Sequence, residues 1–262
     1  MAILDQRQLT WDSLAEELDA WVASGTEATL WWRDDDATDS GSKLDRLLEL
    51  TTETGILLAS MPALATTRLA DRVAATDHAY IGQHGFSHTN YAPKGQGQGA
   101  WELGLHRSSS VVLDELLDGR HRAEKLFGDR FIPVLIPPWN RIDDALLRPI
   151  ADSGFRGLSR FGARQTSHLS PECVVINAHC DPIKWKSGPK FTGESKALDQ
   201  CISHLRSRRV GDVDPAEPTG ILTHHIDLDE PAWAFCEQLV NTINSHPGAC
   251  WCSIPDLFPE TG

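Results

Sequence analysis

The hydrophobic pattern of the chain alternates between two periods. Short apolar runs, typical of buried strands, are separated by longer segments in which apolar residues recur every three or four positions, as on one face of a helix. The strand-like runs lie at 28–33, 56–59, 79–82, 131–136 and 219–223, with weaker ones at 157–159 and 174–176. The helical segments lie at 11–24, 44–54, 66–75, 111–127, 143–153, 194–208 and 231–245. This alternation predicts a parallel sheet covered by helices, with Pro149 kinking or shortening the fifth helix.

Polar groups follow directly after several of these predicted strands. Three aspartates follow the first strand, His84 follows the third, and His224 follows the last. Active sites of (β/α) barrels lie at the carboxyl ends of their strands. Because no glycine-rich phosphate loop follows the first strand, we expect a distorted or incomplete (β/α) barrel of about seven parallel strands rather than an open doubly wound sheet. The 262 residues are expected to form a single domain, in which residues 1–25 contribute an N-terminal helix packed on the outside.

The aspartates after the first strand form a costly cluster of like charges. Asp34, Asp35 and Asp36 are consecutive, so their repulsion must be offset by protonation, by the neighbouring Arg33 or by a cation. His84 and His88 have the i, i+4 spacing that places two imidazoles on one face of a helical turn. An aspartate and two histidines leave coordination positions open, which is typical of a catalytic metal centre.

Composition narrows the possible partners. The net charge of −13 argues against a nucleic-acid or anionic membrane partner. No apolar run approaches the ~18 residues of a membrane span, and no basic stretch followed by an apolar signal region opens the chain, so we expect a cytoplasmic protein. The six cysteines lack C-x-x-C spacing and are expected to be reduced thiols. Composition does not identify a substrate, and the oligomeric state stays open.

Two further segments stand out by composition. Residues 92–104 are rich in glycine and contain Trp101, which is typical of a mobile lid or of a disordered connection. Trp185 lies among lysines, where its indole could meet the apolar face of a sugar ring or could cap the barrel core. The sequence leaves both pairs of alternatives open.

The order of these motifs resembles the polysaccharide deacetylase family, the NodB-homology carbohydrate esterases, as a divergent member. The matching segments are Arg33-Asp34-Asp35-Asp36, His84 to His88, Pro137-Pro138-Trp139-Asn140, Asp181 with Trp185, and Leu222-Thr223-His224. The resemblance implies a NodB-type barrel and a metal-dependent hydrolase that removes N-acetyl groups from a saccharide or sugar conjugate. It also implies one divalent metal ion, most often zinc, with cobalt, nickel or iron as alternatives. The partner that it implies is a small-molecule or oligosaccharide substrate.

The resemblance assigns roles position by position. Asp34 would be the catalytic base and Asp35 a metal ligand together with His84 and His88. A shifted register, with Asp35 as the base and Asp36 as the ligand, is the alternative.

At the other motifs, His224 would be the general acid, although His225 beside it could compete. Trp185 would contact the substrate. Since Pro137 and Pro138 have no N–H, only Trp139 or Asn140 in that motif can donate a backbone hydrogen bond to an oxyanion.

Two departures from the family pattern bear on function. Ile136 stands where the family has an arginine that holds the base, so Arg33 or Arg141 would have to supply that charge. Asp36 stands where the family usually has glycine. Two other functions therefore stay open: a hydrolase of the same fold that acts on a small cytoplasmic amide or imide, and a non-catalytic saccharide-binding relative.

Overall fold

A nine-stranded, mostly parallel sheet organises the chain in the computed structural model, which describes residues 8–95, 97 and 99–260. The strands are β1 (Ala28–Ala37), β2 (Ile56–Ser60), β3 (Ala79–His84), β4 (Phe131–Ile136), β5 (Gly157–Leu158), β6 (His168–Ser170), β7 (Cys173–Val175), β8 (Ile183–Lys184), β9 (Lys190–Phe191), β10 (Thr219–Thr223) and β11 (Ala249–Trp251). The helices are α1 (Trp11–Ala23), α2 (Ser42–Leu50), α3 (Thr67–Ala74), α4 (Ser109–Phe127), α5 (Leu147–Asp152), α6 (Glu194–Val210), α7 (Glu230–Ser245) and α8 (Ile254–Leu257).

The sheet is a curled, incomplete barrel. Seven parallel strands follow one another in the order β10, β1, β2, β3, β4, β5 and β7, while β6 is antiparallel at one edge and β11 pairs with the start of β1. Strands β8 and β9 form a separate antiparallel hairpin. The irregular segment after β7 joins the two ends of the curl, since Ile176 N donates to Leu158 O and Leu222 N donates to Cys180 O. The predicted distorted barrel of about seven parallel strands is confirmed.

Alternation along β1 separates an inner from an outer layer of the core. Trp31 packs inside the curl with Leu57 and Ile132, whereas Trp32 packs outside it, in the layer of the core that also contains Leu58. By the same alternation, Arg33 and Asp35 share the inner side with Trp31, and Asp34 shares the outer side with Trp32. From Trp31 to Asp35, odd-numbered residues of this strand therefore face the inside of the curl and even-numbered residues face the outside.

The end of β1 breaks this alternation at Asp36. Its φ of 69° is left-handed, and the pairing register with β2 shifts between Asp34 and Ala37. A bulge of this kind redirects a side chain at the end of a strand. Asp36 consequently joins Asp35 on the cavity side instead of pointing away from it.

The helices follow the expected pattern, with one local difference. The segment predicted as a helix at 143–153 is a 3-10 turn (Asp144–Leu146) followed by the short α5. Pro149 lies in the first turn of α5, where its missing N–H leaves no intrahelical bond unmade. At the other end of the chain, α1 contacts α6, where the Arg209 guanidinium pairs with Glu17 at 2.7 Å. No helix within the described ranges combines the length and apolar character needed to cross a bilayer.

Candidate active site

A cavity of about 470 Å³ opens where the ends of β1, β3 and β10 meet. It brings together residues from each of the five segments singled out in the sequence. The cavity is lined by Asp35, Asp36, His84, His88, Trp139, Asn140, Phe161, Asp181, Trp185, Leu222 and His224. Acidic and imidazole groups thus share one pocket with several aromatic rings.

Asp34 lies on the outer side of the sheet and does not line this cavity. Its Oδ2 accepts hydrogen bonds from Thr223 Oγ1 at 2.6 Å and from the His225 N–H at 2.8 Å. Its Oδ1 lies 2.5 Å from Nδ1 of His225, and both side chains are buried. Burial acts to lower the pKa of His225, but the adjacent Asp34 carboxylate outweighs it and raises that pKa. Asp34 and His225 therefore form a buried ion pair behind the strand end.

Asp35 faces the cavity and is held by Arg33 from the same strand. Nε and Nη2 of Arg33 lie 2.9 and 3.1 Å from the two carboxylate oxygens of Asp35. The same guanidinium donates to Asn140 Oδ1 and to Ser159 Oγ, each at 2.7 Å. This buried ion pair, with a hydrogen bond from Nη2 to Oδ2, orients the carboxylate. Arg141, the other arginine considered, donates instead to Ala100 O at 3.4 Å.

Asp36 completes a group of three possible metal ligands with His84 and His88. Its Oδ1 lies 3.3 Å from Nε2 of His84 and 3.6 Å from Nε2 of His88. Nδ1 of His84 is 3.0 Å from Ile136 O. Since a carbonyl oxygen only accepts, Nδ1 carries a proton, and in the neutral ring Nε2 presents its lone pair. The sequence pattern offered Asp35 or Asp36 as the ligand, and the described contacts place Asp36 beside the two imidazoles.

The pKa shifts of two of these three groups favour metal binding. Burial favours the neutral form of Asp36, but His84, with further contributions from His224 and His88, lowers its pKa to about 2. Burial, reinforced by the charge of His84, lowers the pKa of His88. At neutral pH the carboxylate is therefore ionised and the His88 imidazole is neutral, as metal ligands must be. Burial acts to lower the pKa of His84, but the carboxylates of Asp35 and Asp36 outweigh it and raise that pKa, so a metal ion would have to displace a proton there.

The two histidines do not share a helical turn. His84 ends β3, and the chain then turns through Gly85 and His88, which both have left-handed φ angles of 54° and 57°. The Gly85 N–H donates to Ile136 O at 3.0 Å, which keeps the chain against β4 instead of letting it coil. The expectation of a helical turn is wrong, although the rings still come together, with centroids 5.1 Å apart.

Glu102 is a buried residue of this region that the sequence patterns did not single out. Its carboxylate accepts hydrogen bonds from the backbone N–H groups of Phe86 and Ser87, at 3.3 and 2.8 Å. The neighbouring Leu103 is also buried and pairs with Ile142. The end of the glycine-rich segment is thus packed against residues 85–88, which we call the histidine loop. A lone glutamate in a glycine-rich stretch gives no local signal of this role.

On the opposite wall of the cavity, His224 lies between aromatic and acidic groups. The ring centroids of His224 and Trp185 are 4.5 Å apart in an edge-on arrangement, and Trp185 Nε1 donates to Asp181 Oδ2 at 2.9 Å. Burial raises the pKa of Asp181, against the opposing effect of the Trp185 hydrogen bond and the charge of His224. Of the two adjacent histidines, His224 lines the cavity, whereas His225 is bonded to Asp34 behind the strand.

A second group of two histidines and a carboxylate lies elsewhere in the fold, at His179, His204 and Glu217. All three are buried. Glu217 Oε2 is 3.5 Å from Nε2 of His179 and 4.0 Å from Nε2 of His204. The two imidazoles stack with centroids 3.4 Å apart and planes 13° from parallel.

Comparison with solved structures identifies the fold. No protein-family model and no curated protein sequence matches the chain. A candidate polysaccharide deacetylase from Mycobacterium smegmatis aligns with a TM-score of 0.65 and 12% identity, over 89% of each chain. Peptidoglycan deacetylase PdaC from Bacillus subtilis aligns with a TM-score of 0.52 and 15% identity, over 88% of this chain and 90% of the other. A family 4 acetyl xylan esterase from Clostridium thermocellum, solved with a cobalt ion, aligns with a TM-score of 0.52 and 14% identity, over 88% and 90%.

The chain thus has the fold of the polysaccharide deacetylases and family 4 carbohydrate esterases, at identities of 12 to 15%. The resemblance expected from the motifs is confirmed at the level of fold.

Proposed function

We propose that this chain is a metal-dependent hydrolase that removes N-acetyl groups from a saccharide or sugar conjugate. The observation that carries the proposal is the Arg33–Asp35 ion pair beside Asp36, His84 and His88 in one cavity. An oriented carboxylate next to a three-ligand group is the arrangement that metal-assisted hydrolysis requires.

The contacts support the second of the two registers left open by the sequence. Asp35 is assigned as the base, because it faces the cavity and is oriented by its ion pair with Arg33. Asp36 is assigned as the metal ligand with His84 and His88. Asp34, the base in the first register, lies behind the strand in a bond with His225, out of reach of a substrate in the cavity.

The donor atoms fit a divalent metal ion. Tetrahedral coordination at about 2.0–2.2 Å separates neighbouring ligand atoms by about 3.3–3.6 Å, which matches the 3.3 and 3.6 Å from Asp36 to the two imidazoles. Oδ1 of Asp36 is buried and accepts no hydrogen bond of good geometry in the described chain. A divalent ion, with zinc expected first and cobalt, nickel or iron as alternatives, supplies Lewis-acid polarisation of the amide carbonyl and a lower pKa for water.

The protein groups around the cavity divide the remaining work of amide hydrolysis. Asp35 takes the proton from the attacking water, and Arg33 keeps this carboxylate oriented. Because the Asn140 N–H donates to Pro137 O at 2.8 Å, the Trp139 N–H is the better candidate of the two for the oxyanion. His224 donates a proton to the leaving amine, with Asp181 and Trp185 beside it.

Arg33 also bears on the alternative of a non-catalytic relative. That alternative was motivated by Ile136, which stands where the family has the arginine that holds the base. Here Arg33 reaches Asp35 from two residues away in β1 and supplies the charge from a different position. The motivation for a loss of catalysis is correspondingly weaker.

Acetate release from N-acetylglucosamine oligomers by zinc-loaded and cobalt-loaded protein tests the proposal. We expect wild type to release acetate and Asp35→Asn to lose roughly 10³-fold or more in kcat, because the base is removed. Asp118→Asn is the matched control, since Asp118 pairs with Arg122 on the surface of α4. Metal-loaded wild type that turns over simple amides but releases no acetate from saccharides would favour the small-amide hydrolase instead.

A further inference from the structure

We infer that Glu102 is a positioning residue of the metal centre, acting through the loop at 85–88 to hold His88 beside His84 and Asp36. The inference rests on the proposed function, because it concerns the same site. It adds a residue from the glycine-rich segment that none of the motifs includes.

The Glu102 carboxylate is anchored directly to the residues that precede His88. Phe86 and Ser87 donate their backbone N–H groups to Oε2 and Oε1, at 3.3 and 2.8 Å, and Ser87 Oγ donates to Oε1 at 3.2 Å. The side chain is completely buried, with 0% of its surface exposed. A buried carboxylate is tolerated only where donors surround it, so the loop and Glu102 stabilise each other.

His88 needs this support more than His84 does. His84 is fixed by β3 and by the bond from its Nδ1 to Ile136 O. His88 follows a bent segment and has a φ of 57°, a conformation that an L-residue adopts at some cost. Two adjacent N–H groups pointing to one carboxylate fix the peptide planes just before His88. Without that acceptor, the loop loses three hydrogen bonds, and the backbone from which the His88 side chain projects is no longer held in place.

The close fit around Gly85 shows how near Glu102 lies to the loop. A Cβ atom at Gly85 would be 2.1 Å from Glu102 Oε2 and 2.6 Å from Cγ of Pro138. Only glycine allows the chain to pass between these two groups. The ring of Trp139 then contacts His88 from the other side, with centroids 4.2 Å apart.

Glu102 directly follows a loop whose two ends are joined by hydrogen bonds. The Tyr91 N–H donates to Trp101 O at 2.8 Å, and the Trp101 N–H donates to Asn90 Oδ1 at 3.0 Å. Asn90 is two residues after His88, so the chain leaves the histidine loop at this point and returns at Glu102, which contacts the loop. The Arg107 guanidinium adds a hydrogen bond to Glu102 O at 3.4 Å.

Zinc titration of the metal-free protein, followed calorimetrically, tests this role. We expect Glu102→Gln to weaken zinc binding roughly 10- to 100-fold, as for the outer partners of other metal ligands. Glu17→Gln is the matched control, because Glu17 is also a buried glutamate but pairs with Arg209 at 2.7 Å, where α1 contacts α6. This control should bind zinc with wild-type affinity. Circular dichroism of the metal-free proteins shows whether each variant is folded.

A folded Glu102→Gln protein with wild-type zinc affinity would overturn the inference while leaving the metal centre intact. Wild type that binds no zinc would overturn the proposed function itself, so the two failures are distinguishable. Should Glu102→Gln not fold, Glu102→Asp keeps the charge but shortens its reach. Weaker zinc binding in folded Glu102→Asp supports the inference, and unchanged binding contradicts it.

Discussion

Among the residues that the structure describes, two groups each contain two histidines and one carboxylate, and they differ in the tautomer that their surroundings impose. At the cavity, Nδ1 of His84 donates to Ile136 O, so in the neutral ring Nε2 presents a lone pair. In the second group, Nδ1 of His179 accepts the Gly220 N–H at 3.0 Å. The neutral His179 ring must therefore carry its proton on Nε2, which faces Glu217 as a donor rather than as a metal ligand.

Ring orientation separates the two groups in the same way. A metal ion lies near the plane of each imidazole that binds it, but the His179 and His204 planes are stacked and only 13° from parallel. No single point lies in both planes and close to both Nε2 atoms. The His84 and His88 planes are 42° apart and their rings line an open cavity. Two histidines and a carboxylate that lie close together are therefore not enough to define a metal site. The hydrogen bond at Nδ1 of each ring and the angle between the ring planes determine whether both Nε2 atoms can bind one ion.

Metal analysis of paired variants tests most directly whether the cavity group binds a metal ion and the second group does not. Wild type loaded with zinc should hold about one ion per chain, and His84→Ala should hold none, because a three-ligand catalytic site does not survive loss of a ligand. His204→Asn should retain the full amount. The measurement is elemental analysis of the purified, dialysed proteins. Loss of metal in His204→Asn with retention in His84→Ala would reverse the roles of the two groups.

Substitution of Arg33, which pairs with Asp35 in the cavity, is expected to have a second, smaller effect, on kcat. Arg33→Lys keeps the charge but loses the two-point contact with Asp35 and the bond to Asn140. Losing one charged hydrogen bond costs about 1.5–3 kcal/mol, so we expect kcat to fall by about 10- to 100-fold. Arg141→Lys is the matched control and should retain kcat.

The kinetic readout is kcat for acetate release at saturating metal. Equal losses in Arg33→Lys and Arg141→Lys would show that the Arg33–Asp35 pair has no special role.

Part of this site could be predicted from the sequence because strand alternation is a local property. Arg33 and Asp35 share the parity of Trp31, while Asp34 shares that of Trp32, so two adjacent aspartates could not both face the cavity along a regular strand. The left-handed turn at Asp36 could not be predicted, since it depends on the bulge in pairing with β2. That single backbone feature decides which pair of aspartates reaches the cavity.

Other features escaped prediction because their stabilising partners are distant in sequence. Strands β6, β8 and β9 have only two or three residues, too few to show a period, and each exists through its pairing partner. Glu102 is recognised only through its bonds to Phe86 and Ser87. By contrast, β4 and β10 match their predicted bounds, since continuous apolar runs mark buried parallel strands.

The smallest expected effect is on the pH dependence of stability, through His204 of the second group (His179, His204 and Glu217). Burial, followed by the charge of His179, lowers the pKa of His204 to about 2 in the folded chain, whereas an unfolded histidine titrates near 6.5. Between these values only the unfolded state binds the proton, so stability falls as the pH falls, by about 1.4 kcal/mol per unit. Lowering the pH from 7 to 5 should therefore destabilise wild type by about 2 kcal/mol through this residue.

Urea unfolding of His204→Asn at pH 7 and pH 5 isolates that contribution. The variant should lose less stability between the two pH values than wild type, because no imidazole remains at this position to be protonated on unfolding. His121→Asn, on the exposed surface of α4, is the control and should follow wild type. If His204→Asn and wild type lose equal stability, the pKa of His204 is not lowered by folding, and the residue is protonated in the folded protein at pH 5. Its Nε2 would then be a second donor to Glu217, and the group would be a charged triad rather than a pair of neutral rings beside a carboxylate.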